Sequence, residues 1–390
     1  MSPDVNGGAA AAPDDLLDRF AAHFGRPADG EWSAPGRVNL VGEHTDYNGG
    51  ASLPFAIDRR ARVAVALRGD RTVRVVSTID ERHHESSLDT LAEAAGWAAY
   101  VLGVAWAIGQ EHALDDKPGF DLLLDSAVPV GVGVSSSAAI EAAVCVALDE
   151  LWGLGLARDE MVRLCRRAEN EVVGAPTGTL DQSAVLFAEP DAAVLLDFGT
   201  GASEIVPLGF EAAELDVLVV DSTIGHDHAV GEYGERRREC EAAAAALGSP
   251  LGRLTPAELD RRIGELDPLL ARRARHIVTD TARTFEVARM LRAGRADEIG
   301  PLLTASHVSQ RDDFGTSVPA IDVAVEAAVE AGALGARLTG GGFGGASIAL
   351  VRRADAERVR DAVTRAVTQA GHPRPEIFTA RASGGARRER

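Results

Sequence analysis

A group of polar side chains follows an apolar stretch near the start of the chain. Glu43, His44, Asp46 and Asn48 lie close together, with glycines on both sides. Such a group can form many hydrogen bonds to a small polyhydroxylated ligand, because glycines permit tight turns and close backbone approach. Arg37 lies shortly upstream and adds a fixed positive charge. The alternative interpretation is a polar surface turn that follows a buried strand.

A glycine-rich loop joins a predicted strand to a predicted helix further along the chain. A helix N-terminus presents unpaired N–H groups and a partial positive charge, and glycines let the backbone approach phosphate oxygens. A serine hydroxyl in the first helical turn can also ligate Mg²⁺. A plain loop with a serine helix cap is the alternative. The loop consists of Gly131, Val132, Gly133, Val134, Ser135, Ser136 and Ser137.

Two carboxylates further along are candidates for metal binding and acid–base chemistry. Glu169 lies on or beside the apolar stripe of a helix predicted over residues 158–173. A carboxylate there is costly unless it is paired or bound to a metal, although an edge position that reaches solvent is the alternative. Asp181 follows a glycine turn and precedes an apolar run, so by itself it indicates only a helix cap.

Composition excludes several classes of protein. The 390-residue chain contains one lysine, Lys117, which is followed by Pro118. A Walker A loop needs Gly-Lys-Ser/Thr and a protein kinase needs a strand lysine, so this chain is neither. The formal net charge of −19 argues against non-specific binding of DNA or RNA. If the protein transfers phosphate, it must hold ATP by another arrangement.

Several of these segments resemble those of one kinase family. Residues 36–50 resemble, almost letter for letter, the N-terminal signature of galactokinases. The loop at 131–137 is similar to the second motif of the GHMP kinases (galacto-, homoserine, mevalonate and phosphomevalonate kinases), and residues 338–345 are similar to the third. Residues 177–182 match the galactokinase element Cys-Gly-x-Met-Asp-Gln, with Thr177 and Leu180 as departures.

The resemblance spans residues 14 to 386 approximately and implies a fold. It implies an α+β, two-domain GHMP kinase fold. The N-terminal domain would resemble ribosomal protein S5 domain 2, and the C-terminal domain would be of the GHMP kinase type.

The resemblance also implies an activity. ATP would phosphorylate the anomeric hydroxyl of α-D-galactose to give α-D-galactose 1-phosphate, a step of galactose catabolism. Asp181 corresponds to the catalytic base, and Arg37 would keep it ionised and stabilise developing charge. Residues 131–137 would wrap the ATP phosphates, while Ser137 and Glu169 would bind Mg²⁺.

Two other functions stay open at this point. One is a kinase for a related sugar, such as N-acetylgalactosamine or arabinose, because pocket shape decides that choice. The other is a non-catalytic galactose sensor. The intact set of phosphate-transfer residues argues against the sensor.

The resemblance assigns further residues to the sugar and to adenine. Ser77 and Trp97 would approach adenine, although core packing is the alternative for Trp97. The histidine pair at 83–84 and the His-Asp-His segment at 226–228 each lack a third metal ligand at a recognisable spacing, which favours a surface position. The implied sugar contacts are Glu43, His44, Thr45, Asp46, Gly178 and Tyr233.

Hydrophobic periodicity predicts the elements that hold these residues. A hairpin is expected around residues 69–70, and a shift in composition near 199–204 predicts a boundary between two domains. We expect a disordered leader at 1–13, an N-terminal domain at 14–200 and a C-terminal domain at 201–386. Predicted helices cover residues 14–24, 97–110, 135–150, 158–173 and 320–331, with a mostly helical region at 234–310. Predicted strands cover residues 120–125, 193–197, 215–221 and 347–351, and the hairpin joins 62–67 to 73–76.

The cysteines and the N-terminal residues predict the cellular compartment of the protein. Cys145, Cys165 and Cys240 form no C-x-x-C pair, which favours a reducing cytoplasm over a disulfide framework or a zinc site. There is no signal-peptide pattern and no apolar run long enough to span a membrane. We expect a cytoplasmic monomer that binds galactose and ATP and neither nucleic acid nor membrane.

Overall fold

The computed structural model describes residues 15–79, 82–175, 177–224 and 229–390, without the side chains of residues 229 and 230. The predicted leader at 1–13 and the histidines at 226 and 228 lie outside the described residues. Among the helices that are described, none combines the length and the apolar character needed to cross a membrane.

The helices begin and end at residues suited to these positions. Asp15 caps the first helix by accepting a hydrogen bond from the Leu17 N–H, and Asp267 caps the longest helix in the same way. Gly153 ends the third helix in the left-handed conformation. The helices are α1 (Leu16–Phe24), α2 (Ala99–Glu111), α3 (Ser136–Trp152), α4 (Arg158–Ala168), α5 (Leu180–Phe187), α6 (Ala229–Leu247), α7 (Pro256–Arg262), α8 (Pro268–Arg292), α9 (Gly300–Ser309), α10 (Pro319–Glu330) and α11 (Ala356–Gln369).

The strands form three sheets. The largest has the strand order β13-β1-β3-β6-β4-β5, a second has β10-β11-β9-β12, and a small one has β2-β7-β8. The strands are β1 (Gly30–Asn39), β2 (Ala51–Ser52), β3 (Pro54–Leu67), β4 (Thr72–Ser77), β5 (His83–Ser87), β6 (Phe120–Ser126), β7 (Ala192–Asp197), β8 (Ala202–Pro207), β9 (Leu215–Asp221), β10 (Gly335–Thr339), β11 (Ala346–Arg352), β12 (Glu376–Ala380) and β13 (Arg387–Arg388).

The predicted hairpin around residues 69–70 is wrong. Strands β3 and β4 exist, but β6 lies between them, antiparallel to β3 and parallel to β4. The Gly69-Asp70 turn therefore connects strands that do not pair with each other. A local turn signal carries no information about a strand that arrives from residues 120–126.

The chain crosses between the sheets more than once. The turn at 199–201 joins the paired strands β7 and β8, and the division of the chain near residue 200 stays a prediction. At the other end of the chain, β13 returns to the largest sheet and pairs with β1. The last residues therefore contribute to the same sheet as the first strand.

Packing fixes the elements that hold the polar motifs. Helix α3 packs against β1 and β3 of the largest sheet, and α2 and α4 pack against α3 in the same core, where Trp32, Leu102 and Phe120 are fully buried. Helices α10 and α11 pack against the second sheet. A further core joins β1 and β3 to β9, β11 and α8, so both sheets share buried contacts. The end of β1, the start of α3 and the start of α5 meet beside this shared core.

Candidate active site

A cleft of about 310 Å³ brings together six polar residues singled out in the sequence. This volume is at the lower end of the range for small-molecule sites. The cleft lies where the segment after β1, the start of α5, the helix α6 and the glycine turn after β10 meet. Its lining comprises Arg37, Glu43, His44, Asp46, Ala175, Thr177, Gly178, Leu180, Asp181, Tyr233, Gly340 and Gly341.

Thr45 holds the shape of the segment after β1 and does not line the cleft. It is fully buried, and its hydroxyl lies 2.8 Å from the Ala51 carbonyl and 2.9 Å from the Ser52 hydroxyl. The Gly42 carbonyl accepts from both hydroxyls. Thr45 therefore supports the neighbouring cleft residues from behind, in contrast to the direct sugar contact implied by the family resemblance.

His44 forms part of the cleft wall as a neutral ring. Burial lowers the pKa of His44 to about 3, and the nearby His276 adds to the effect. Its Nε2 lies 3.1 Å from the Gly341 carbonyl, which can only accept, so Nε2 carries the proton. Its Nδ1 then accepts from the Tyr47 hydroxyl at 2.9 Å. Both nitrogens are therefore engaged with the protein in this structure.

Glu43 connects the segment after β1 to the glycine turn after β10. Its Oε1 accepts from the Gly340 N–H at 2.8 Å and lies 3.4 Å from Nη1 of the fully buried Arg337. Burial raises the pKa of Glu43, and the positive charges of Arg337 and Arg37 oppose this rise. Glu43 thus faces the cleft while it fixes the third motif.

Asp46 and Gly178 lie in close contact across the cleft. A Cβ atom on Gly178 would lie 2.1 Å from Asp46 Oδ2, so only glycine leaves this carboxylate in place. Burial raises the pKa of Asp46 to about 6, and the like charge of Asp181 contributes to this rise. The two carboxylates therefore occupy one small cleft.

Asp181 and Arg37 form an ion pair at the cleft. Arg37 donates to Asp181 Oδ1 from Nε at 2.8 Å and from Nη2 at 2.6 Å. The Arg37 Nη1 also donates to the Gly133 carbonyl at 2.5 Å. One buried guanidinium therefore joins the carboxylate of α5 to the glycine-rich loop before α3.

The glycine-rich loop uses left-handed backbone at several positions. Gly131 and Gly133 have φ values of 78° and 81°, which glycine adopts without strain. Gly133 also lies against Gly340, where an added Cβ would come within 3.3 Å of the Gly133 carbonyl oxygen. The second and third motifs thus meet beside the cleft, and Ser136 and Ser137 begin α3 at this point.

Glu169 lies next to the start of α3 in a buried setting. It begins a π-helical turn, Glu169–Val173, that follows α4, and its side chain is almost fully buried. Its Oε2 accepts from the Thr177 hydroxyl at 2.6 Å and from the Gln182 amide at 2.8 Å. Burial raises the pKa of Glu169, while the hydroxyls of Thr177 and Ser137 oppose the rise.

The oxygen atoms of Glu169 and Ser137 suit Mg²⁺. Magnesium prefers hard oxygen ligands and usually binds one or two carboxylates together with substrate phosphates and water. No group of three or more His, Cys, Asp or Glu side chains within the described residues could form a metal site from protein ligands alone. Any magnesium here would therefore need oxygen atoms from a nucleotide and from water.

The two residues predicted to approach adenine do not line the cleft. Ser77 ends β4 and is buried, with its hydroxyl accepting from the Ile79 N–H at 3.3 Å. Trp97 is partly buried and packs against the core under α2 and α3. Their roles at adenine stay predictions. The histidines at 83 and 84 lie on the edge strand β5, with His83 exposed.

Helix α8 contributes two buried residues that the sequence analysis missed. Asp280 Oδ2 accepts from the N–H groups of Gly42 and Glu43, both at 3.2 Å. His276 Nε2 lies 3.2 Å from the Glu43 carbonyl. Asp280 lies among the buried positions of α8, so the reasoning that selected Glu169 would also have found this carboxylate.

We expect that Asp280→Ala destabilises the protein by about 3–5 kcal/mol and weakens binding in the cleft. The change leaves two buried backbone N–H groups and the Arg283 guanidinium without their partner. Thermal unfolding and ligand calorimetry measure both effects. Glu286→Ala on the exposed face of the same helix is the control and should change neither. A variant with wild-type stability would contradict the proposed support of residues 42–43.

Models of known protein families match three parts of the chain. Residues 18–67 match the galactokinase galactose-binding signature. Residues 99–189 match the GHMP kinases N terminal domain, and residues 287–369 match the GHMP kinases C terminal domain. These segments contain the region after β1, the glycine-rich loop with Asp181, and the turn after β10.

Individual relatives are similar over nearly the whole chain. A galactokinase of Streptomyces coelicolor is 43% identical over 378 residues, which cover 95% of this chain and 97% of the relative. A galactokinase of Mycobacterium tuberculosis is 44% identical over 361 residues, which cover 91% and 98%.

Solved structures have the same architecture. The structure of Lactococcus lactis galactokinase complexed with galactose has a TM-score of 0.91 at 33% identity, covering 96% of this chain and 99% of that chain. The mevalonate kinase of Methanococcus jannaschii has a TM-score of 0.65 at 18% identity, covering 91% and 98%, and this likeness concerns the fold alone. The predicted GHMP kinase fold is therefore confirmed.

Proposed function

This chain belongs to the galactokinase family of GHMP kinases, and on that premise we propose that it transfers the γ-phosphate of ATP to the anomeric hydroxyl of α-D-galactose. The observation that carries the proposal is the pair of Arg37 and Asp181 in a sugar-sized cleft, joined through Gly133 to a phosphate-type loop. The cleft proposed for the sugar, which accepts the phosphate, is thus adjacent to the loop proposed for ATP, which donates it.

The proposed sugar site is the part of the cleft formed by the segment after β1, by Gly178 and by Tyr233. Glu43 and Asp46 offer carboxylate oxygens to sugar hydroxyls, and Tyr233 offers a phenol. The Tyr233 ring lies 5.1 Å from that of His44, so the two rings provide an apolar wall for a sugar face. Because both nitrogens of His44 already form hydrogen bonds within the protein, His44 contributes to sugar binding mainly through the shape of the cleft and less through hydrogen bonds to the sugar. Gly178 keeps room for the Asp46 carboxylate.

The proposed phosphate site is the loop at 131–137 and the start of α3. The helix N-terminus attracts phosphate oxygens through its N–H groups and its dipole. Ser137 and Glu169 would hold Mg²⁺, which neutralises phosphate charge when it is bound. This arrangement needs no lysine, in agreement with the composition of the chain.

The proposed catalytic step depends on position and charge. Asp181 accepts the hydrogen bond of the anomeric hydroxyl and takes its proton as the oxygen attacks the phosphorus atom. Arg37 holds Asp181 Oδ1 and stabilises negative charge next to the glycine-rich loop. Because phosphoryl transfer has a loose transition state, a weak base is sufficient.

We expect that Glu169→Gln raises the Mg²⁺ concentration needed for half-maximal activity and lowers kcat by about 10²-fold. The amide oxygen can still accept from Thr177 and Gln182, so the local structure should be retained. A magnesium titration of ATP turnover measures the change, and Glu171→Gln, an exposed residue of the same turn, is the control. A wild-type titration curve in the Glu169 variant would contradict metal binding by this residue.

The substrate proposal is tested by ADP release with a panel of monosaccharides. We expect galactose to be turned over, with kcat/KM for glucose lower by about 10⁴-fold, because an inverted hydroxyl leaves a buried carboxylate unpaired. Preference for N-acetylgalactosamine or arabinose would support a related sugar kinase. Galactose binding without ADP release would support a non-catalytic sensor, and either result would contradict the proposal.

A further inference from the structure

Ser135 adopts a backbone conformation that favours glycine. Its φ and ψ are 59° and 53°, and it follows two glycines of the same loop that also have positive φ. A non-glycine residue in this region is strained by the contact between its Cβ and its own backbone. Such strain is tolerated when the side chain has a task that glycine could not perform.

The Ser135 side chain does not perform the usual task of its position. It occupies the cap position of α3, where a serine oxygen normally accepts from an N–H of the first helical turn. Its side chain makes no such hydrogen bond. The Ser135 side chain therefore leaves the N–H groups at the start of α3 available to an anion, and the alternative interpretation of a serine helix cap does not apply to this residue.

The Ser135 hydroxyl donates to Oδ2 of Asp181 instead. Arg37 already holds Oδ1 of this carboxylate with two N–H groups. Together, the two residues determine the plane and the rotation of the Asp181 carboxylate. Arg37 and Ser135 are both attached to the glycine-rich loop, Arg37 by its bond to Gly133 and Ser135 by being part of it.

We propose that Ser135 is a positioning residue for Asp181, and that its hydroxyl serves the carboxylate and not the phosphates. This inference rests on the proposed kinase function. The left-handed backbone turns the hydroxyl away from the helix end and toward α5. The consequence is that the same residue opens the helix N-terminus to phosphate and orients the acceptor of the sugar proton.

The test uses Ser135→Gly, which removes the hydroxyl and suits the left-handed backbone. We expect kcat to fall by about 10- to 100-fold, with the Kd for a non-hydrolysable ATP analogue and the Kd for galactose each within about threefold of wild type. The melting temperature should be unchanged or higher, because glycine relieves the backbone strain. Ser135→Ala should lose as much kcat.

A double-mutant cycle separates positioning from phosphate binding. In the Asp181→Asn background, Ser135→Gly should lower the residual rate by less than twofold, because its effect passes through the carboxylate. A weakened Kd for the ATP analogue, an equal loss in both backgrounds or an unchanged kcat would each overturn the inference. If the wild-type protein does not phosphorylate galactose, the proposed function fails and this inference fails with it, whereas an active wild type with an unaffected Ser135→Gly variant overturns the inference alone.

Discussion

Replacing Asp181 by Asn is expected to lower kcat for galactose by about 10³-fold while galactose binding stays measurable. The amide keeps the shape of the side chain, and its oxygen can still accept from Arg37. It cannot take the proton of the anomeric hydroxyl, and it brings no negative charge to the reacting oxygen. Calorimetry with galactose measures binding, and an ADP-release assay measures kcat.

The control for Asp181→Asn is a carboxylate outside the cleft. Asp89 is exposed and pairs with Arg71 on the surface, so Asp89→Asn should leave kcat unchanged. Because Asn leaves the buried Arg37 without a negative partner, the melting temperature is measured as well. Turnover near the wild-type rate in a folded Asp181→Asn variant would contradict the assignment of the base.

Galactose phosphorylation is expected to decline in acid because of Asp46. Its pKa is raised to about 6, mainly by burial, so the carboxylate is protonated below that pH. A protonated Asp46 no longer offers the same acceptors to sugar hydroxyls. We therefore expect kcat/KM for galactose to fall about tenfold per pH unit below pH 6, since this ratio reports groups of the free enzyme.

Asp46→Asn separates this effect from other titrations. It should lower kcat/KM for galactose about 10²-fold at pH 7 with little change in the Kd of ATP, and the acid decline assigned to Asp46 should disappear. Because the pKa is raised in the folded state, ionisation of Asp46 costs stability as the pH rises from about 4 to 6. The variant should therefore melt above wild type at pH 7. An identical acid decline in the variant would contradict the role of Asp46.

Local patterns in the sequence predicted the parts of the site that lie on one segment. The polar group after β1 and the glycine-rich loop before α3 were candidates from residue types and spacing alone. Asp181, at the start of α5, indicated only a helix cap until the family resemblance was considered. Glu169 could be selected because a carboxylate on an apolar stripe needs a partner, and its partners proved to be Thr177 and Gln182. These inferences needed only short-range information.

Contacts between distant segments could not be predicted in this way. The insertion of β6 between β3 and β4 depends on sheet order, and the support of residues 42–43 by Asp280 depends on how α8 packs. The direction of the Ser135 hydroxyl depends on a left-handed backbone that residue type does not predict. Thr45 was assigned to the sugar by the family resemblance, although its side chain is fully buried and its hydroxyl bonds to the Ala51 carbonyl.

The measurement that tests the account most directly is identification of the product by phosphorus and proton NMR. Wild-type protein is incubated with Mg²⁺, ATP and galactose, and 1-deoxygalactose is the matched acceptor that lacks the anomeric hydroxyl. We predict one phosphorylated sugar, with phosphorus coupled to the anomeric proton, and no product from 1-deoxygalactose. Phosphate on another hydroxyl, turnover of 1-deoxygalactose or no sugar phosphate would contradict transfer to the anomeric position by this cleft.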